Sequence, residues 1–531
     1  MNSEPFLWWR DGIIYQIYPR SFSDSNGDGV GDIWGIITKL DYLADLGIDA
    51  IWLSPIYPSP DIDFGYDVSN YLDISPLFGS LADFDRLVKE AHQRNIRIIL
   101  DLVLNHTSDQ HPWFQNSRMS QDNPFSDWYI WRDANPGQLP NNWESVFGGR
   151  GWEWDSQRQQ YYFHMFYKQQ PDLNWRNPEV RQEMLNVFRF WLERGVDGFR
   201  LDVFNAYFKR ADFPDNPPKF GLRGFDRQHH IFDFNQPEMM PLLAEIRQIL
   251  DGYNERYAVG ETFESPADVA ASYCGPDRLH AAFNFAVLHC GWSPKQFLRE
   301  AVKWEQVLGQ QAWPCQVLNN HDNPRSTTRY IWSESDAKAK VAAAMLLTLR
   351  GTPYLYYGEE IGMRDIPRKR NEILDPIGKR YWPFHKGRDG CRSPMQWTDG
   401  ENAGFSTGKP WLPVHDNYKN RNVEQQRRDA DSLLNFYRRL IQIRKQSPAL
   451  MRGDFIPMGK QNDFVMAYIR QTEGEIIFVA LNFSRLKQRI VIDDAYSGMK
   501  WTALLLETQS NKINGNILEL APYEVCLFRT C

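Results

Sequence analysis

The stretch PEVRQEMLNVFRFWLERGVDGFRLDV (178–203) holds one helix followed by one strand. Residues 178–194 are amphipathic at helical spacing, and residues 198–202 form a short apolar run ending in Asp202. The same alternation recurs through the first two thirds of the chain. Apolar runs at residues 13–18, 50–54, 96–102, 257–260, 281–285, 314–318 and 353–357 bring the total to eight. Amphipathic stretches such as 81–94, 240–250 and 337–349 lie between them. Strands alternating with helices predict a parallel α/β fold, and eight such units predict a closed (β/α)8 TIM barrel rather than an open sheet.

Two segments depart from this rhythm. About seventy residues rich in Trp, Tyr, Asn, Asp and Pro follow the third run, too many for an ordinary connection. They predict an inserted subdomain over 105–175, with the barrel over 1–104 and 176–450. Beyond Pro448 the text changes to short alternating runs at 464–470, 476–482, 489–492, 501–506 and 517–528, which predict a C-terminal antiparallel β-sandwich domain over 451–531. Neither a solenoid repeat nor a low-complexity linker interrupts the chain.

The 531 residues carry 60 Lys and Arg against 67 Asp and Glu, a net charge of −7, which disfavours nucleic acid and favours a small neutral ligand. Aromatic residues make up 14% and include 20 Trp; flat rings of this kind stack on pyranoses, but they also fill large cores. The six cysteines show no metal or disulfide spacing, so reduced thiols are expected. The text opens without a signal-peptide pattern and holds no apolar stretch of membrane-spanning length. A cytoplasmic protein is expected, monomeric or homodimeric, with no membrane or nucleic-acid partner.

In such a barrel the chemistry lies at the C-terminal ends of the strands. The second run leads to Asp63-Phe-Gly-Tyr66-Asp67 and the third ends Asp101-Leu-Val-Leu-Asn105-His106. The fourth ends Gly198-Phe-Arg200-Leu-Asp202, the fifth Val259-Gly-Glu261 and the seventh Asn320-His321-Asp322. One strand ending on an acid reads as a helix cap or a surface ion pair; five do not. Acids crowded into a partly dry site raise one another's pKa, which suits acid/base work. Retaining cleavage of a glycoside needs two carboxylates roughly 5–5.5 Å apart, one to attack the anomeric carbon and one to protonate the leaving oxygen. Asp202 and Glu261, on neighbouring strands, are the natural pair. Arg200 shares the Asp202 face by the two-residue period and is expected to keep that nucleophile ionised.

The segments DLVLNH (101–106), GFRLDV (198–203), GET (260–262) and NNHD (319–322) resemble the four signature regions of the α-amylase superfamily, in order and strand position. QPDLN (170–174) resembles the fifth region in its oligo-1,6-glucosidase and α-glucosidase form. The resemblance spans essentially the whole chain. It implies Asp202 as nucleophile, Glu261 as general acid/base and Asp322 as the group that stabilises the distorted sugar. His106, Arg200 and His321 would bind the transition state, and Tyr66 would stack under the glucose. It further implies that Asp63 and Arg388, the first Arg of GRDGCRSPMQW (387–397), grip the outermost sugar of an exo-acting enzyme. The expected activity is release of glucose from the non-reducing end of short α-linked glucosides, with transglucosylation on the side. In resembling enzymes Val after the nucleophile, here Val203, accompanies α-1,6 cleavage, whereas residues 204–236 look more like maltose-acting α-glucosidases, so both linkages stay open.

A second stretch, DSNGDGVGD (24–32), alternates oxygen side chains with glycines in the manner of a hard-cation loop. It is no EF-hand, because the twelfth position is Gly35 rather than Glu. Its likeness to oligo-1,6-glucosidases implies Asp24, Asn26, Asp28, the Val30 carbonyl and Asp32 as ligands of a structural Ca²⁺ or Mg²⁺; no organic cofactor is expected. A sucrose-acting glucosyltransferase or isomerase remains the alternative, although the R-x-D-R-D segment of sucrose isomerases is missing after Asp322. A non-catalytic transporter heavy chain is disfavoured, since the acids are present and no membrane helix precedes the barrel.

Overall fold

The structure, a computed structural model, describes residues 5–263, 265–309, 312–331, 335–458, 462–506 and 513–530. Eight parallel strands, β1 (Ile14–Ile17), β2 (Ala50–Leu53), β3 (Arg97–Leu102), β4 (Gly198–Leu201), β5 (Tyr257–Gly260), β6 (Ala281–Ala282), β7 (Cys315–Val317) and β8 (Thr352–Tyr356), form one sheet. Its order is β7-β8-β1-β2-β3-β4-β5-β6. Phe283, just past β6, makes a parallel bridge to Cys315 at the start of β7, so the sheet runs round toward a barrel. Nearly every strand residue is buried, as expected of parallel strands covered on both faces.

The helix Pro178–Glu193 shows how the sequence sets these units. Asn177 caps it by accepting from the Glu179 and Val180 amides, and Pro178 occupies its first turn, where a missing N–H costs nothing. Val180, Met184, Val187, Phe188 and Trp191 form its buried stripe. The remaining expected helices appear at Leu81–Gln93, Met239–Asp251 and Ala337–Thr348.

The chain divides into two compact units, one of Met1–Ile51, Glu90–Arg97 and Phe283–Cys531, the other of Trp52–Lys89 and Ile98–Ala282. The second unit contains the insertion after β3, where Trp131–Arg132, Trp152–Asp155 and Gln160–Phe163 make a three-stranded antiparallel sheet. The first unit ends in two antiparallel sheets. The larger, built from β9 (Asp454–Pro457), β10 (Val465–Thr472), β11 (Glu475–Asn482), β13 (Trp501–Leu506) and β16 (Val525–Thr530), has the order β9-β10-β11-β16-β13. The smaller joins β12 (Gln488–Val491), β15 (Ile517–Leu520) and β14 (Ile513–Asn514) in that order. Val465, Ala467, Ile469, Phe478 and Phe528 of the first sheet and Ile490, Leu518 and Leu520 of the second fill one core, the expected sandwich.

Two expected strands differ from the observed ones. The run at 281–285 is extended only at Ala281–Ala282, and a helix begins at Phe285, since apolar text alone does not separate a buried strand from a buried helix. The run at 517–528 divides into β15 and β16 because Pro522 and Tyr523, the latter at φ 53°, turn the chain between them. The five described cysteines are buried. Among the described residues no helix is long and apolar enough to cross a membrane.

Candidate active site

Strand pairing places the two principal carboxylates. Arg200 of β4 lies opposite Asp101 of β3 and Val259 of β5, and Leu201 lies opposite Gly260. One step further along the same register, Asp202 and Glu261 stand level at the ends of neighbouring strands, which run about 4.8 Å apart. Their amides continue the ladder: Asp202 donates to the Leu102 carbonyl and Glu261 to the Leu201 carbonyl, each at 3.0 Å.

One guanidinium joins the acids. Arg200 Nη1 lies 2.7 Å from Asp101 Oδ1 and 2.6 Å from Asp202 Oδ1, while Nη2 bonds Glu261 Oε2. Only 2%, 5% and 8% of Arg200, Asp202 and Glu261 are exposed, so the cluster works in a poorly solvated setting. The ion pair read from the Arg200–Asp202 spacing is therefore present, and it draws the Asp202 carboxyl in the expected direction against a larger effect of burial. Burial drives the Asp202 carboxyl well above its ordinary range; Arg200 pulls it back only in part, because Glu261 and Asp101 push it up again. Burial likewise raises Asp101 to about 6 against the pull of Arg200.

The backbone around the pair is tightly constrained. Val203 sits at φ 39° and ψ 39°, a left-handed conformation that a β-branched residue rarely adopts, with its amide 3.4 Å from Glu261 Oε2. Gly260 has no room for a side chain, since a Cβ would lie 2.3 Å from Phe204 Cε1 and 2.5 Å from Leu279 Cδ1.

Tyr66 donates to Asp101 Oδ2 at 3.0 Å, and Trp52 Nε1 reaches the same oxygen at 3.2 Å. His106 Nε2 bonds the Tyr66 carbonyl at 2.9 Å, and Gln170 Nε2 reaches Asp63 Oδ2, the Tyr66 carbonyl and His106. Burial depresses His106 to about 4, so it is a neutral hydrogen-bonding group near pH 7. Behind it, fully buried Lys209 pairs with Asp172 and donates to Asn105 Oδ1 at 2.8 Å.

In the other unit, His321 and Asp322 follow β7. Gln16 Nε2 donates to His321 Nδ1 at 2.8 Å, which leaves the proton on Nε2, 3.1 Å from Asp322 Oδ2. Tyr18 stacks on the His321 ring at 6.1 Å. Asp322 Oδ1 accepts from Arg392 at 3.0 Å and lies 3.5 Å from Arg388. Asp375 clamps Arg388 through its amide at 2.7 Å, its Nε at 3.0 Å and its Nη2 at 2.9 Å. Burial works against the Asp375 charge, yet Arg388 outweighs it and holds the carboxyl below its ordinary value. Asp202, Glu261, Arg200, His106, Tyr66 and Asp63 are thus one constellation, and His321, Asp322 and Arg388 another.

The loop at 24–32 is wound by its own side chains. Asp24 Oδ1 accepts from the Asn26 and Gly27 amides, Asn26 from Asp28, and Asp28 from Val30, while Asp32 caps the helix Ile33–Thr38. All the donors are oxygens, which suits a hard cation. Among the described residues no three acidic, His or Cys side chains come close enough together to hold an ion by themselves, so the Asn26 amide and the Val30 carbonyl would have to complete the set.

The sequence matches the catalytic-domain model of α-amylase over residues 16–453 and the C-terminal-domain model of the α-amylase SusG over residues 465–525. The chain belongs to the α-amylase family. Within the family it is 43% identical to a probable α-glucosidase of Rhizobium meliloti, covering 90% of this chain and 89% of that one. It is 42% identical to an oligo-1,6-glucosidase of Parageobacillus thermoglucosidasius, covering 90% and 91%. The crystal structure of XgtA, an alpha-glucosyl transfer enzyme, superposes with a TM-score of 0.95 at 41% identity, over 99% of this chain and 100% of that one.

Four partners of these residues, three in the first constellation and one in the second, lie unmarked inside motifs quoted above: Asp101 opens DLVLNH, Gln170 opens QPDLN, Asp172 follows it, and Arg392 is the second Arg of GRDGCRSPMQW. Gln16, Asp375 and Lys209 carry no such signal, because long-range packing alone brings each to its partner.

Proposed function

We propose that this enzyme is an exo-acting, retaining α-glucosidase that releases glucose from the non-reducing end of short α-linked glucosides of the maltose or isomaltose type. The level placement of Asp202 and Glu261 on β4 and β5, both held by Arg200, carries the reading, because strand spacing matches the separation a double displacement requires. An Asp202 oxygen attacks C1 while Glu261 protonates the departing glycosidic oxygen, giving a glucosyl ester. Glu261 then takes a proton from water, which attacks C1 and frees Asp202. Asp322 stabilises the distorted ring through its hydroxyls, with His106, Arg200 and His321 as further binders and Tyr66 beneath the sugar. Asp63 and Arg388 hold the outermost glucose. The resemblance of the motifs to those of α-glucosidases supports these roles, and so do the names of the relatives.

Replacing Asp202 with Asn tests the chemistry: p-nitrophenyl α-glucoside turnover should fall by at least about a thousandfold, and unchanged turnover refutes it. Comparable rates on starch and on maltose would refute the exo mode. Val203 leaves α-1,4 and α-1,6 cleavage open, which kcat/KM on maltose and isomaltose decides. Transfer of the glucosyl group to a second sugar in place of water is the second reading, favoured by the likeness to a glucosyl transfer enzyme. Products formed from concentrated maltose and sucrose separate hydrolysis, transfer and isomerisation. For the loop at 24–32 the proposed ligand is a structural Ca²⁺ or Mg²⁺ held by Asp24, Asn26, Asp28, Val30 and Asp32. Its test is the melting temperature with chelator and after adding back each ion.

A further inference from the structure

A cleft of about 370 Å³ opens in the unit that carries Asp202, lined by Asn70, Tyr71, Trp113, Glu183 and Asn186 among others. Its volume lies within the range of small-molecule sites. Trp113 forms its half-exposed aromatic wall, packed against His111 at 4.4 Å, Trp128 at 4.8 Å and Tyr71 at 6.2 Å, so the indole is fixed from behind. Asn70, Glu183 and Asn186 are exposed at its rim.

The polar groups around this wall have capacity to spare. Asn70 uses its oxygen on the Leu72 amide, and Asn186 uses its oxygen on Gln182 and Arg189. Among the described residues, no protein acceptor meets the Asn70 or Asn186 amide N–H groups or the Trp113 indole N–H, and no donor meets the Glu183 carboxylate. Three donors and one carboxylate acceptor therefore surround an aromatic face. A pyranose has the complementary surface: an apolar C–H face to lie on a ring, and an equator of hydroxyls that both donate and accept. A purely apolar ligand would make no use of these four polar groups.

We propose that this cleft is a second carbohydrate site, separate from the Asp202–Glu261 centre, that binds one neutral glucosyl unit of a short oligosaccharide on Trp113, with hydrogen bonds from Asn70 and Asn186 and to Glu183. The proposal concerns binding alone and does not depend on the glucosidase reading. Behind the cleft, the Tyr71 hydroxyl bonds the Val103 and His106 carbonyls, so its inner wall is built into the strand end that carries His106.

The test is calorimetric titration of isomaltotriose into the full-length Asp202→Asn protein, chosen so that on the glucosidase reading the sugar is held and not cleaved. Two classes of site are expected, and the weaker class should lose at least about tenfold in affinity in a Glu183→Leu/Asn186→Leu background, with the tighter class unchanged. Those two side chains are exposed on the helix Pro178–Glu193, so the variant should melt within about 2 °C of its parent. Trp113→Ala gives a second reading of the same class. Binding that survives the double substitution in full, as one class or as two, overturns the proposal, and so does a variant that loses only the tighter class. A single class in the parent that the double substitution removes would strike the glucosidase reading and leave the cleft standing.

Discussion

Arg200 binds Asp202 through one terminal nitrogen and Glu261 through the other, so the two acids share one positive charge. The planar fork is what allows this; an ammonium has a single nitrogen from which to serve both acids. Arg200→Lys is expected to keep the fold and the charge but lower kcat by about 100- to 1000-fold, as circular dichroism and steady-state kinetics would show. A loss smaller than tenfold would mean that bidentate sharing is incidental.

Gly260→Ala should lower stability by about 1–3 kcal/mol, since its new methyl would collide with Phe204 and Leu279. Because residue 260 precedes Glu261, kcat should fall as well. Shortening Phe204 to Leu in the same chain should restore part of the melting temperature. Additive losses in the double variant would show that the collision is not the cause.

Asp375→Asn removes one of the two oxygens that clamp Arg388. The expected consequence is a KM for maltose or isomaltose raised by about tenfold, with a smaller change in kcat, because Arg388 is proposed to grip the substrate rather than to act on C1. An equal fall in kcat and kcat/KM would instead assign Arg388 to the transition state.

Acid sensitivity has a defined source in His111, which burial depresses to about 3. A histidine whose folded pKa lies below its unfolded value, about 6.5, contributes stability above that unfolded value and loses it as pH falls toward the folded one. His111 also caps the helix Pro112–Ser117 by accepting from the Trp113 amide, a task that Asn performs equally well. His111→Asn should therefore melt like the parent at pH 7 and exceed it by up to about 3 kcal/mol at pH 4. Parallel stability curves from pH 7 to pH 4 would exclude this assignment.

Much of the barrel was legible because its strands are short, apolar and punctuated by acids. Observed strands start and stop within a residue or two of the expected runs at β1 to β5, β7 and β8. The sixth misled because the text around Phe283 and Phe285 is apolar in strand and helix alike. Asp202, Glu261 and Arg200 were legible from position and alternation alone, since neighbouring parallel strands carry them to one level. Two things stayed hidden for a physical reason. Gln16 and His321 stand 305 residues apart, so no local pattern announces their hydrogen bond. The elevation of Asp202 depends on how much water burial removes, which spacing cannot express.

The alignment of Asp101, Arg200 and Val259 across β3, β4 and β5 means that backbone pairing fixes the level from which the Asp202 and Glu261 side chains extend. Gaining or losing one residue within any of these strands would rotate its functional group to the opposite side of the sheet. Variation in length is better borne by the connecting segments, which can grow or shrink without moving the strand ends that carry Asp202 and Glu261.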